Sequence, residues 1–381
     1  MGMKLTKEQE IIVKLAKDFS LREVEPLAAE IDETGEYPDE LVQKLKDTGF
    51  LGCIFPKKYG GFDTDYLTYA MIVEEVSKYD VATSMIISGN CSLSAGPLAK
   101  FGNEQQKEKY LTKVCNEGMI MGFALTEPGA GSDAAGVQTT AVLDGDEWVI
   151  NGNKIFISSA GIADLYIVMA STDKSKGTHG ISAFLVEYPL PGFTIPNFEN
   201  KMGIRGSHTG ELVFQNVRIP KENLLGKLGQ GFQISMQALD GGRITVAASS
   251  VGLAQRALDE AVKYSKDRAQ FGKPISKNQG ISFMLAEMET KLAAARLLTY
   301  DAAAKKAAGE PHSHEAAMAK YFASEVANFV ADKAVQIHGG YGYTKDYVVE
   351  RLYRDAKILE IYEGTTEIQK IVIAGHVLKR K

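Results

Sequence analysis

The chain has 381 residues, of which 45% are hydrophobic and 24% charged, and its formal net charge is −5. That size suits two or three domains around an ample apolar core. The acidic balance, without a basic tract, excludes nucleic-acid binding as the main role, and no apolar run approaches the roughly 18 residues a bilayer span requires.

Residues 1–118 read as helical. Thr6 followed by Glu8, Gln9 and Glu10 marks a helix start, with Ile11, Ile12, Leu15 and Phe19 as one apolar stripe. Leu41, Leu45, Phe50 and Leu51 continue the pattern, and Tyr59-Gly60-Gly61 breaks it. Tyr66 to Tyr79 forms a second amphipathic run, with Tyr69, Ile72, Val73 and Val76 on one face. The charged, amphipathic start from Lys4 is not a secretory signal. Met1-Gly2-Met3-Lys4-Leu5-Thr6 meets the myristoylation pattern only formally, with no second anchor beside it. Cys53, Cys91 and Cys115 are sparse and unevenly spaced, which predicts free thiols in a reducing compartment and no metal site.

Residues 119–232 read as strands. Glu147 to Ile150, Asn151-Gly152, then Asn153 to Ile157 predicts a hairpin with a type I′ turn. Leu165 to Ala170, Ile181 to Glu187 and Leu212 to Val217 are further strands. Ahead of them, Phe123-Ala-Leu-Thr-Glu-Pro-Gly-Ala-Gly-Ser-Asp133 leaves a strand for a glycine-rich loop. Its amides and Ser132 suit a phosphate or the edge of a polar ring, or make a plain turn. Neither a Walker loop nor a dinucleotide fingerprint fits it.

Residues 233–381 are helical again, with four long apolar-striped runs that predict a bundle. The α–β–α order argues against a doubly wound sheet. Asp240-Gly241-Gly242-Arg243 reads as a helix start, where Arg243 binds phosphate or pairs with Asp240. Arg268-Ala-Gln-Phe271-Gly-Lys-Pro274 follows a long helix; its arginine and aromatic suit a pyrophosphate and a ring, or a helix C-terminus with Gly272 as its stop. Gln336-Ile-His-Gly339-Gly340 is a glycine-rich helix exit. His312 and His314 read as solvated loop residues, too few for a metal site. Ile361-Tyr362-Glu363-Gly364-Thr365 sets a poorly solvated carboxylate beside a glycine amide. Desolvation makes such a carboxylate a stronger base, and the pair suits proton removal α to a carbonyl; a helix cap at Thr365 or Thr366 is the other reading.

Taken in this order and spacing, these segments resemble the acyl-CoA dehydrogenase family over essentially the whole chain. Those that carry the resemblance are Leu125 to Asp133, Arg268 to Pro274, Gln336 to Gly340, Arg354-Asp-Ala-Lys-Ile358 and Ile361 to Thr365. Asp240 to Arg243 and Ile373-Ala-Gly-His376 look most like the short-chain, butyryl-CoA type. The resemblance implies an α+β fold with an N-terminal helical domain, a middle β-barrel or sandwich domain and a C-terminal four-helix bundle. It implies FAD, a homotetramer, and electron exchange with an electron-transferring flavoprotein. Glu363 matches the catalytic base and Gly364 the amide that holds the thioester carbonyl. Phe123, Leu125, Thr126, Ser132, Phe156, Ile157 and Ser158 match flavin-side positions. Arg268, Phe271, Gln279, Gln336, Gly339 and Gly340 match cofactor contacts often reached from a neighbouring subunit, and Thr365 and Glu367 match further ones. Ser132, Asp240 and Arg243 match substrate contacts. Members that carry the base one residue before the arginine have it where Gly242 stands, so Glu363 is the remaining candidate. Ser92, Ser94, Ala95 and Gly96 fall where the acyl pocket is shaped and leave room for a longer or branched chain.

The expected reaction is α,β-dehydrogenation of a short-chain acyl-CoA, or its reverse. The alternatives are an enoyl-CoA reductase for bulkier or aryl-acrylyl esters, an acyl-CoA or nitroalkane-type oxidase, and a non-catalytic CoA-ester binder. A bacterial cytoplasm is the expected location, with the mitochondrial matrix for a processed form.

Overall fold

A computed structural model describes residues 5–379. The myristoylation pattern begins outside them, at Met1–Lys4. The N-terminal part comprises α1 (Lys7–Phe19), α2 (Ala28–Thr34), α3 (Asp39–Asp47), α4 (Tyr66–Ser77), α5 (Val81–Ser88), α6 (Gly96–Phe101) and α7 (Glu104–Glu117). Thr6 opens α1 with a capping box: its hydroxyl accepts from Gln9 N at 3.2 Å, and Gln9 Oε1 accepts from Thr6 N at 3.0 Å. The predicted stripe is split, because Ile11 and Leu15 are exposed. Helix α1 faces the core through Ile12, Ala16 and Phe19. Ala16 sits at the centre of that face, which a pattern of large side chains passes over. Helix α4 is not amphipathic as expected. It is buried nearly all round, because α1, α5 and the later helices over 231–267 and 279–307 pack on it from several sides.

The middle part is an eight-stranded sheet: β1 (Met121–Ala124), β2 (Thr140–Asp144), β3 (Glu147–Ser158), β4 (Leu165–Ser171), β5 (Ile181–Glu187), β6 (Phe193–Thr194), β7 (Thr209–Pro220) and β8 (Leu224–Leu225). The order is β6-β7-β3-β2-β4-β5-β8, with β1 parallel to β4. A single residue pair, Thr140 with Ser171, joins β2 to β4. The two halves fold onto each other there: Trp148 of β3 meets Phe184 of β5 edge-on at 5.1 Å, and Tyr166 of β4 meets Phe193 of β6 at 5.4 Å.

The predicted Asn151-Gly152 hairpin turn is absent. β3 runs straight through it, with a register shift against β7 between Ile150 and Gly152. Gly152 has φ 146°, and a Cβ there would lie 2.5 Å from Thr139 Oγ1. The glycine therefore serves a bulge and a close approach rather than a turn. The actual β2–β3 turn lies at Gly145, φ 64°.

The C-terminal part has α8 (Gly231–Asp267), a hairpin of β9 (Ala269–Gln270) and β10 (Lys273–Pro274), then α9 (Gln279–Ala307), α10 (Ser313–His338), α11 (Val349–Ala356) and α12 (Thr366–Val377). Helices α8, α9 and α10 pack on one another, and α12 lies on α10. Asp240 to Arg243 lies well inside α8, not at its start. Gly272 is not a helix stop either: with Phe271 it makes the β9–β10 turn, at φ 76° and 51°. The pair of positive φ values expected at Asn151-Gly152 thus occurs here.

Candidate active site

Glu363 lies between α11 and α12. It and Gly364 are both left-handed, at φ 53° and 94°. That conformation is strained for a glutamate, and such outliers gather at functional sites. The side chain reaches α8 at Gly242. A Cβ on Gly242 would lie 1.8 Å from Glu363 Oε2 and 2.8 Å from Leu93 Cδ2. Two consecutive glycines weaken a helix interior by about 1 kcal/mol each; here the second one opens space for the carboxylate. Oε2 is buried without a hydrogen-bond partner. Burial pushes the Glu363 carboxyl up to about 7, against the opposing charges of Lys320 and Arg243. Arg243 is itself spoken for, since its Nη1 donates to Asp240 Oδ1 at 2.7 Å, and Ser313 Oγ donates to the same oxygen at 3.0 Å.

A second set of residues comes from the β domain. Leu125 and Thr126 follow β1, and Phe156, Ile157 and Ser158 end β3. Buried Lys154 ties the two segments together, its Nζ donating to Leu125 O at 3.0 Å and to Glu127 Oε1 at 2.7 Å. Glu127 also accepts from Gln138 N at 2.6 Å and Thr139 N at 3.0 Å, so the buried charges are paired and hydrogen-bonded. Burial still lowers Lys154 to about 8. Phe156 has φ 55° and leaves its ring exposed. Ile157 is buried in the core. Phe123 and Thr126 are half-buried, Leu125 is buried and Ser132 is exposed.

Arg268, Phe271, Gln279, Gln336, Gly339 and Gly340 form a third set, all exposed. The Arg268 guanidinium stands 5.5 Å over the Tyr341 ring, joining the hairpin to the exit of α10. This set cannot meet Glu363 within one chain around a single compact ligand. Gly242 and Arg268 are separated by 26 residues of α8, roughly 39 Å at 1.5 Å per residue.

A cleft of about 990 Å³ is lined by Tyr66, Ser92, Lys100, Asp240, Lys306 and His312 among others. Tyr66 forms its inner wall, donating to Gly241 O at 2.9 Å and lying 2.8 Å from Ser92 Oγ. The Lys306 ammonium stands 4.5 Å over the Tyr66 ring, and burial lowers it to about 8. His312 lies in the α9–α10 loop as expected, whereas His314 belongs to the first turn of α10; both are half-buried and line this cleft, and the His314 ring lies 5.1 Å from that of His376. The space expected at Ser92 to Gly96 is partly filled, because Tyr66 and Tyr69 both hold the Ser92 hydroxyl. Lys154, Lys306 and Lys320 carry no local motif; only their partners, far away in sequence, reveal them.

Three profile domains match in order: the acyl-CoA dehydrogenase N-terminal domain over residues 6–118, the middle domain over 122–217 and the C-terminal domain over 229–378. The chain belongs to the acyl-CoA dehydrogenase family. It is 50% identical to the butyryl-CoA dehydrogenase of Megasphaera elsdenii, each chain fully covered, at a TM-score of 0.98. A chain in the structure titled for the electron transferring flavoprotein of Acidaminococcus fermentans, and for flavin-based electron bifurcation, matches with the same identity, coverage and TM-score. A 3-(aryl)acrylate reductase of Clostridium sporogenes is 49% identical, covering 99% of this chain and all of the relative. The family is FAD-dependent. The residues present suit that cofactor: Phe156 offers an exposed ring, Thr366 Oγ1 is buried without a partner, and Gly129, Gly131, Gly339 and Gly340 face open space. No helix among the described residues is long and apolar enough to cross a membrane.

Proposed function

We propose that the protein dehydrogenates a short-chain acyl-CoA to the trans-2-enoyl-CoA, or runs the reverse reduction, with Glu363 as the base. The observation that carries this reading is the unpartnered Glu363 Oε2, enclosed over Gly242 and raised toward neutrality. A base with a pKa near the working pH combines proton affinity with availability. Bound FAD supplies the acceptor for the hydride that leaves the β-carbon. Glu363 takes the α-proton, and the Gly364 N–H holds the thioester oxygen as charge develops there. Phe156 and the Leu125–Thr126 backbone hold the flavin. Thr365, Glu367 and Ser132 extend its contacts.

The cleft beside Asp240 takes the CoA moiety. Lys100 and Lys306 supply positive charge for its phosphates, while Arg243 neutralises Asp240 and Lys305 neutralises Glu315. Leu93, close to Glu363, limits the acyl chain, which favours short or flat groups. The set around Arg268 serves the cofactor of a neighbouring copy in a homotetramer, a reading supported by its separation from Gly242. Electrons pass to or from an electron-transferring flavoprotein, and a bacterial cytoplasm is the proposed setting, supported by the bacterial relatives. Reduction of an aryl-acrylyl-CoA is the second reading, favoured by the aryl-acrylate reductase among those relatives.

An acyl-CoA panel read anaerobically by loss of flavin absorbance tests both. The first reading predicts the fastest bleaching with butyryl-CoA. Bleaching by 3-arylpropionyl-CoA alone favours the second, and no bleaching by any ester contradicts both.

A further inference from the structure

Glu363 and Gly364 place two consecutive carbonyls in a left-handed stretch that the backbone alone does not favour. Both carbonyls are held by side chains from outside the loop. Gln369 Nε2, on the first turns of α12, donates to Glu363 O at 3.2 Å and to Gly364 O at 2.9 Å. Lys320 Nζ, on α10, donates to Gly364 O at 2.7 Å. Gln369 and Lys320 are both fully buried. Only glycine allows this approach, because a Cβ on residue 364 would lie 2.7 Å from Gln369 Nε2.

The peptide between Glu363 and Gly364 is planar and trans, so its C=O and N–H point in opposite directions. A donor that fixes the Glu363 carbonyl thereby fixes the direction of the Gly364 N–H. We propose that Gln369 and Lys320 are positioning residues: a two-donor clamp in which Gln369, holding the Glu363 carbonyl, aims the Gly364 N–H at the substrate carbonyl, while Lys320 pins the following carbonyl and keeps its charge beside the Glu363 carboxylate. Gln369 acts on the amide. Lys320 pins the following peptide through Gly364 O and, through its charge, acts on the base. The clamp rests on the proposed reading of Glu363 and Gly364.

A chromophoric enoyl-CoA, such as a 3-arylacryloyl-CoA, reports the polarisation of its carbonyl as a red shift when bound. Gln369→Met should bind FAD as the wild type does. It should lose most of the red shift and about 10²-fold in kcat, with KM little changed. Gln369→Glu keeps the shape in case Met does not fold; its red shift should fade as pH rises and the introduced carboxyl stops donating. Lys320→Met should move the acid limb of the pH–kcat profile upward, because a cation beside the carboxylate is gone. A full red shift and wild-type kcat in the folded Gln369 variants would overturn the clamp. Wild-type protein that neither shifts nor bleaches with any acyl-CoA would instead overturn the underlying reading of the site.

Discussion

At the scale of the residue, Glu363 combines three features that rarely coincide: a left-handed backbone, an enclosed oxygen without a partner, and a carboxyl raised to about 7. Only the ionised form accepts a proton, so substrate bleaching should fall about tenfold per pH unit below 7, and Glu363→Gln should abolish it while FAD stays bound. The same shift has a stability consequence. The folded-state pKa lies above the ordinary 4.5, so the folded protein binds more protons than the unfolded chain between those values. This group's contribution to stability therefore declines as pH rises from about 4.5 to about 7. Thermal unfolding of Glu363→Gln should occur at higher temperature than wild type at pH 8 and at nearly the same temperature at pH 5. An equal shift at both pH values would argue against a buried charge.

The glutamate–glycine pair was legible in sequence because its apolar flanks announce desolvation. Lys320 and Gln369 were not, for different reasons. Lys320 sits on the buried face of α10, 43 residues from Glu363, where a lysine reads as a solvated surface charge. Gln369 sits in a helix whose other residues are mostly exposed.

At the scale of the element, α8 shows how far local pattern carries. Its apolar stripe predicted a helix, but Gly241-Gly242 looked like a boundary because glycines usually mark one. The helix continues because α4, α9 and α10 pack around it and outweigh the propensity cost. Gly242→Ala should raise helix propensity yet drive a methyl into Glu363 Oε2. The expected result is an activity loss of about 10²-fold or more with FAD retained, measured by substrate bleaching and flavin content. An unimpaired variant would mean that the carboxylate lies elsewhere during turnover. The Asn151-Gly152 error has the same origin. The turn signal is real, but β7 pairs with β3 on both sides of it, and a bulge satisfies the glycine without reversing the chain.

At the scale of the whole molecule, the three-part organisation followed from the change of hydrophobic period along the chain. How the parts meet did not, since the Glu363–Gly364 loop, Gly242 and Leu93 come from distant segments. The exposed set around Arg268 gives the clearest prediction about assembly. Phe271 is 96% exposed at the tip of the β9–β10 hairpin, beside the exposed Arg268. Arg268→Ala and Phe271→Ala should both weaken FAD retention, with no change in the protonation of Glu363. Flavin content after gel filtration, together with the eluted mass, checks this. A holo-tetramer with unchanged flavin retention would remove that set from the cofactor site.

Solvent-deuterium incorporation at the α-carbon of butyryl-CoA most directly tests Glu363 as the base, because it follows proton transfer apart from net oxidation. The wild-type holoenzyme should incorporate deuterium at that carbon, faster above pH 7 than below it. Glu363→Gln, with its flavin still bound, should be slower by three orders of magnitude or more. Incorporation at the wild-type rate in that variant would contradict the assignment.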